Sequence, residues 1–215
     1  MVQGSIAAHS VNEFQSDSTY IIVKAAPRAS TKFGETVCIA GINHDGSWVR
    51  LYPVSFKDLS DAQKFKRWDR VSYRWRRPTG ISDLRDESRR VDSQSISITG
   101  DLPTRERNHF LGRVAVDGLQ SQREKGKSLA LLKAEILDFI VKKKSEEDFK
   151  KEIAVREALK KQSDMFVRDV IIPREPCPFA FQYRYRDADG LHSGTCQDWE
   201  TEATFFRRRA EMGEN

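Results

Sequence analysis

Thr36–Ile42, TVCIAGI, and Trp48–Val54, WVRLYPV, flank the turn cluster Asn43-His44-Asp45-Gly46-Ser47. Two β-prone runs separated by a short segment with Asp-Gly predict a β-hairpin. Side chains alternate across a strand, so Val49 and Leu51 share one face while Trp48, Arg50 and Tyr52 share the other. The first face is apolar and belongs to a core. The second sets an arginine between two aromatic rings, which a simple solvated face does not need.

Upstream, Tyr20–Lys24 (YIIVK) is a further strand, stopped by Pro27. Downstream, a short helix is expected within Asp58–Phe65, capped by Asp58 or Ser60. Arg70–Arg77 (RVSYRWRR) alternates as a strand, with Val71, Tyr73 and Trp75 on one side and Arg70, Ser72, Arg74 and Arg76 on the other. Pro78-Thr79-Gly80 ends it, and the polar residues to about Arg90 read as a loop. Ser95–Thr99 is a strand, and a short helix falls within 101–112. The stretch 128–141 fits either a strand or a helix, and its β-prone Phe139-Ile140-Val141 favours the strand. Ser145–Lys161 is a surface helix with Ser145 and Asp148 in a capping arrangement. Phe179–Arg186 (FAFQYRYR) places Phe179, Phe181, Tyr183 and Tyr185 on one strand face. A turn at 187–190, a returning strand to Cys196 and a last helix capped by Asp198 complete the chain. These segments predict an α+β fold, a mixed or antiparallel β-barrel with flanking helices. Residues 1–18 read as a flexible arm and 19–215 as a single domain.

At 215 residues, 38% hydrophobic and 32% charged, the chain can bury one sizeable core beneath a wet surface. No apolar run approaches the roughly 20 residues of a membrane-spanning helix, and the first residues do not resemble a secretory signal. No membrane association is expected. Three cysteines, Cys38, Cys177 and Cys196, form no paired motif and suit a reducing cytoplasm.

The charge is concentrated in Lys64–Arg90, KFKRWDRVSYRWRRPTGISDLRDESRR. Ten basic and four acidic residues give this segment +6, against +5 for the whole chain. Guanidinium groups pair with phosphates, and aromatic rings stack on bases. The alternation assigns Tyr73 and Trp75 to the core and leaves Arg70, Arg74, Arg76 and Arg77 as phosphate contacts, with Arg85 in the following loop. Arg50 and Tyr52, beside Trp48 and the neighbouring Lys24 and Arg28, would form the floor of the same groove. For Trp48, packing beneath a covering helix or loop is the stronger of two readings. Nucleic acid is thus the expected partner. RNA is favoured over duplex DNA because no recognition-helix motif is present. Oligomeric state is left open.

Catalytic alternatives find less support. Asp83, Arg85 and Glu87 could be acid–base groups, but their alternating signs favour a self-neutralising loop. His192, Cys196, Asp198 and Glu200, with Cys177, offer only one closely spaced ligand pair, fewer than a structural zinc site needs. Asp198 as a helix cap, with Glu200 and Glu202 in the first turn, explains the acids without a metal. His44, His109 and His192 are isolated. No phosphate loop, dinucleotide fingerprint or hydrolase elbow occurs, so no cofactor is expected. A nuclease or nucleotide-processing hydrolase working in the same groove is one alternative function. A module that binds an acidic protein is the other.

GETVCIAGI paired with WVRLYPVSF, the DLRDES loop and the closing FAFQYRYR…DWE resemble a little-characterised group of prokaryotic proteins over most of the chain. By structural analogy the predicted barrel is similar to the PUA/ASCH-like β-barrels. That resemblance implies RNA or modified-base binding, with RNA cleavage in some relatives. It carries over no catalytic residue, because none of their active-site motifs is matched.

Overall fold

The hairpin at the centre of the sequence forms as expected. In the computed structural model, which describes residues 13–26, 28–30, 34–79, 85–165 and 176–213, β3 (Gly34–Ile42) and β4 (Trp48–Val54) pair antiparallel. Asn43 N donates to Ser47 O at 2.9 Å, and Gly46 takes a φ of +89°, which glycine adopts without steric cost. Val49 and Leu51 are fully buried, while Trp48, Arg50 and Tyr52 are partly exposed on the opposite face.

Four more strands complete the first sheet: β1 (Gln15–Lys24), β2 (Arg28–Ser30), β5 (Asp69–Arg76) and β6 (Ser88–Asp101). Their order is β1-β5-β6-β4-β3-β2, and an additional β1–β3 pairing closes five of them into a ring. Every pairing is antiparallel except β4 with β6. β1 makes the closure by dividing its length. Gln15–Tyr20 pairs with β5, and Tyr20–Lys24 pairs with β3 across a bulge between Ile21 and Val23. A bulge sharpens local twist, which is what a strand needs to turn from one neighbour to another.

The ring encloses Ile21, Val37, Ile39, Val49, Leu51, Val54, Val71, Tyr73, Trp75, Val91 and Ile96. At about 1.5–3 kcal/mol for each fully buried large apolar side chain, this interior is the main stabilising element. Leu59 and Phe65 close it, carried by the segment of two 3₁₀ turns, Phe56–Asp58 and Asp61–Gln63, that replaces the expected short helix. A second cluster lies outside the ring. Helix α1 (Thr104–Gly112) buries Phe110 there against Ile22, Ile42 and Leu102, with Tyr20, Trp48 and Trp68 packed beside them. Trp68 has a φ of +78°, the only non-glycine residue in the left-handed region among those described. Two backbone bonds hold it there: its N–H to Ile21 O and Leu102 N–H to its own carbonyl, each 2.8 Å.

The rest of the chain builds two further sheets. β7 (Ala115–Val116) and β8 (Leu131–Leu132) form a short parallel pair flanking α2 (Gln120–Glu124). β9 (Glu135–Lys143), β10 (Phe179–Asp187) and β11 (Gly190–Cys196) form an antiparallel sheet in the order β11-β10-β9. Helices α3 (Glu146–Met165) and α4 (Trp199–Glu211) complete the mixed α and β architecture. Asp148 N bonds to Ser145 Oγ at 3.1 Å, and Glu200 N bonds to Asp198 Oδ1 at 3.0 Å, so both expected caps are present.

Three boundaries differ from expectation. Residues 15–18, assigned above to a flexible arm, belong to β1, because Ser16 and Ser18 lie on an outer face where small polar residues are tolerated. β6 starts at Ser88, not Ser95; its polar first half is an exterior sheet face with Val91 pointing inward. The ambiguous 128–141 stretch gives a strand, displaced to 135–143.

Closure depends on Gly41. A Cβ there would stand 2.5 Å from Thr19 Oγ1 and 2.9 Å from the Tyr20 carbonyl. Gly41→Ala is expected to cost about 1–3 kcal/mol through overpacking. Thermal denaturation should register this as a fall of about 3–10 °C in midpoint. Adding Thr19→Ala should restore only part of the loss, since the Tyr20 carbonyl remains. An unchanged midpoint would show that β1 and β3 separate freely.

Candidate nucleic-acid interface

The outward positions of β1, β5 and β6 form one polar surface. The register sets Ser16 beside Arg74, Ser18 beside Ser72 and Tyr20 beside Arg70. On the other flank, Asp92 lies beside Arg74 and Arg90 beside Arg76. Arg70 donates to Ser18 Oγ at 3.1 Å, and its guanidinium lies 6.0 Å from the Tyr20 ring centre. Arg74 pairs with Asp92 at 2.6 Å yet keeps more than half its side chain exposed. Phe14, 44% exposed, receives the guanidinium of Arg74 at 5.6 Å and that of Arg76 at 5.4 Å. Arg77 is exposed just past the end of β5. As the alternation required, Tyr73 and Trp75 are buried inside the ring.

Phe14 and Arg90 escaped the sequence reading. Phe14 fell in the assumed arm, and Arg90 in the assumed loop. The signal for Arg90 was its period-two spacing with Asp92, which marks the outer face of a strand.

The other expected contacts lie elsewhere. Lys24 is half-buried between the rings of Phe56 and Trp199, 5.1 Å from each centre, and donates to Phe65 O at 3.3 Å. Burial pulls its pKa below the usual lysine value against the opposing pull of Glu200 and Asp69. Arg67 beside it binds Asp198 at 2.6 Å and Glu200 at 3.4 Å. The Asp198-Trp199-Glu200 run thus docks on two cations of the ring, and a β-bridge between Ala25 and Asp198 joins the backbones. Lys24 is engaged by two rings and a carbonyl, which gives it a structural part in this packing.

Arg50 is committed too. Its Nη2 donates to Ser128 Oγ at 3.0 Å and its Nη1 to Cys38 Sγ at 3.4 Å. Ser128 in turn donates from both its N–H (3.0 Å) and its hydroxyl to the buried Glu87 carboxylate. Although burial pushes Glu87 upward, the bonds from Ser128 and the nearby Arg50 hold its pKa below the ordinary carboxylate value. Glu87 belongs to this buried network rather than to a self-neutralising surface loop. Trp48 packs against α1, one of the two covers, helix or loop, that the packing reading allowed, and Tyr52 is half-buried on β4. Arg50 is thus engaged by Ser128 and Cys38 rather than by the β5 arginines expected beside it. Arg85 is exposed at the foot of β6. Asp83 and the Arg28 side chain lie outside the described residues.

The candidate metal and acid–base residues are dispersed. His192 Nε2 meets Asp187 Oδ1 at 2.8 Å, and Cys196 Sγ lies 3.5 Å from Thr201 Oγ1. Tyr183 is pushed up to about 12, first by its bond with Cys196 and then by burial. Cys177 is buried, and burial raises its thiol pKa. Among the described residues, no three His, Cys, Asp or Glu side chains are placed to hold a metal ion. His44 sits in the exposed hairpin turn and His109 on the exposed side of α1.

Residues 15–113 match the family model described as a domain of unknown function (DUF8758), and residues 113–215 match a second, also a domain of unknown function (DUF8757). The two matches meet at Arg113, one residue past α1. No curated protein and no solved structure matches the chain. Among the described residues, no helix is long and apolar enough to cross a membrane.

The Glu87 network has a pH signature. A carboxylate held below its ordinary pKa stabilises the fold fully at neutral pH, and that stabilisation is lost as pH falls through the depressed value. Glu87→Gln should therefore lower stability at pH 7 by about 1–2 kcal/mol, the scale of charge-assisted bonds. The gap to the parent protein should close on acidification into the carboxylate range. Denaturant titrations at neutral and acidic pH measure it; a gap that is constant with pH would exclude the ionised carboxylate as its source.

Proposed function

We propose that the outer face of β1, β5 and β6 binds single-stranded nucleic acid, RNA in preference to duplex DNA. The observation that supports this most is Phe14, exposed just before β1 with the guanidinium groups of Arg74 and Arg76 at 5.6 and 5.4 Å from its ring centre. An aromatic plane flanked by cations serves a base and its two neighbouring phosphates at once. Arg70, Arg76 and Arg77 supply phosphate contacts around it, and Arg74 joins them by exchanging Asp92 for phosphate. Ser16, Ser18 and Ser72 add neutral hydroxyls that fit a sugar–phosphate chain without repelling it. An outer strand face with an aromatic side chain at its edge suits unstacked bases, whereas it offers no helix to enter a duplex groove.

In this reading the five-stranded ring is a small β-barrel similar to the PUA/ASCH-like barrels. The function is cytoplasmic, in keeping with three unpaired cysteines. Arg85 extends the cationic edge, while Lys24, Trp48, Arg50 and Tyr52 act in the scaffold.

Retardation of end-labelled single-stranded RNA and DNA, with and without chelator, tests the proposal. Binding should be strongest at about 50 mM salt and fall steeply by about 200 mM. Replacing Arg70, Arg74 and Arg76 by Ala should flatten the slope of log affinity against log salt by about 0.7 per lost contact. Phe14→Ala should weaken binding by about 1–3 kcal/mol while leaving the slope unchanged. Failure to retard either strand at low salt overturns the reading, and shortened strands would make the protein a nuclease.

A further inference from the structure

Among the described residues, β9 pairs with β10 along one edge, no described strand pairs with its other edge, and all its residues but Ile140 are exposed. It is nine residues long, EILDFIVKK, and contains no proline. Natural sheets blunt such edges with proline, central charges or a covering element, because an open row of N–H and C=O groups recruits another strand. Here the only charge between Ile136 and Val141 is Asp138, and the rest of that run is apolar. Ile136, Phe139 and Val141 are 59, 43 and 53% exposed, far more than a monomer's core strand leaves to water.

The register with β10 sorts these side chains into faces. Val141 lies opposite Phe181, Phe139 opposite Tyr183 and, past a bulge at Leu137, Ile136 opposite Tyr185. Phe139 packs 5.0 Å from Tyr183 and 6.0 Å from Phe181, centre to centre, so one side of the edge is an aromatic shelf. This shelf continues into an open groove of about 540 Å³ under α4, reaching Phe205. Asp138, Ile140 and Lys142 point to the other side, since they alternate with Phe139 and Val141.

The charges along the strand select the occupant. From Asp138 to Lys142 the segment is acidic at its start, apolar in the middle and basic at its end. We infer that β9 pairs antiparallel with β9 of a second copy of this chain, about a two-fold axis at Ile140. That register sets Asp138 opposite Lys142 twice, Phe139 opposite Val141 twice and Ile140 opposite itself. Opposite charges and apolar pairs directly across a ladder are the stabilising combinations. A parallel arrangement would instead line up like charges. The register uses only the regular stretch beyond the bulge, and it joins two three-stranded sheets into one of six strands with a continuous aromatic shelf. A self-complementary patch of this kind closes with two-fold symmetry and leaves no further edge for growth at β9.

Sedimentation equilibrium of the full chain between about 1 and 200 µM covers the affinities expected of a strand-paired dimer. Asp138→Lys alone sets lysine against lysine and should weaken self-association at least tenfold. Lys142→Asp alone should act likewise, and the double exchange should restore it. A monomer at every concentration, or a double exchange as weak as the singles, overturns the inference. Ile140→Cys is an independent check, since residues directly opposed across an antiparallel ladder lie about 4.5–5.5 Å apart, within disulfide reach. Mild oxidation should give a covalent dimer that the parent, with its three native cysteines, does not form. Absence of that dimer counts against the register.

Discussion

One strand carries the closure of the first sheet. β1 gives its first half to β5 and its second half to β3, and without that division the other strands would form an open sheet with two raw edges. The close passage at Gly41 and the bulge after Ile21 make the division possible. Everything proposed for the exterior depends on it. Closure turns Tyr73 and Trp75 inward, and the same alternation presents Arg70, Arg74 and Arg76 outward. It also places Phe14, just before β1, next to the arginines of β5.

Cations in this chain do two kinds of work, and burial separates them. Lys24, Arg50 and Arg67 are drawn into contacts with the C-terminal half, through Trp199, Ser128, Asp198 and Glu200. The two halves correspond to the two family matches, so these contacts are among those that join one matched segment to the other. The docking combines these polar contacts with apolar ones, since Trp199 packs on the ring core and against Phe56. Removing one partner of a half-buried ion pair costs more than a surface pair would contribute, because the remaining charge stays desolvated. The arginines of β5 remain at the surface, where a ligand can compete for them.

The hairpin, the β5 alternation, both helix caps and the aromatic face of β10 were legible in the sequence. Each is a local pattern: a turn with Asp-Gly, a period of two, a capping residue at the right offset. Ring closure was not legible in detail, because β1–β3 and β4–β6 join segments whose pairing no local pattern encodes. The same limit governed the site. Trp48, Arg50 and Tyr52 do share a face, as alternation required, but what covers that face comes from residues 104–130, far along the chain. Glu87 was read as one charge in a polar loop, since nothing near it in sequence announces Ser128. Phe14 was missed because a lone aromatic among polar residues has no periodicity to declare it a strand neighbour.

The division of β1 has a temporal consequence. It leaves the ribosome first of the ring strands, yet its partners β3 and β5 follow later, and the ring cannot close until β6 has appeared at Asp101. At about 5–20 residues per second, β1 waits on the order of 4–15 s for the last strand. During that interval its apolar Ile21-Ile22-Val23 is an unpaired β-prone segment in a crowded cell. The run of Gln15, Ser16, Asp17, Ser18 and Thr19 immediately before it is polar, and interrupts what would otherwise be a longer sticky strand. The composition that made this segment look like a loose arm thus also shields a nascent chain whose ring closes late.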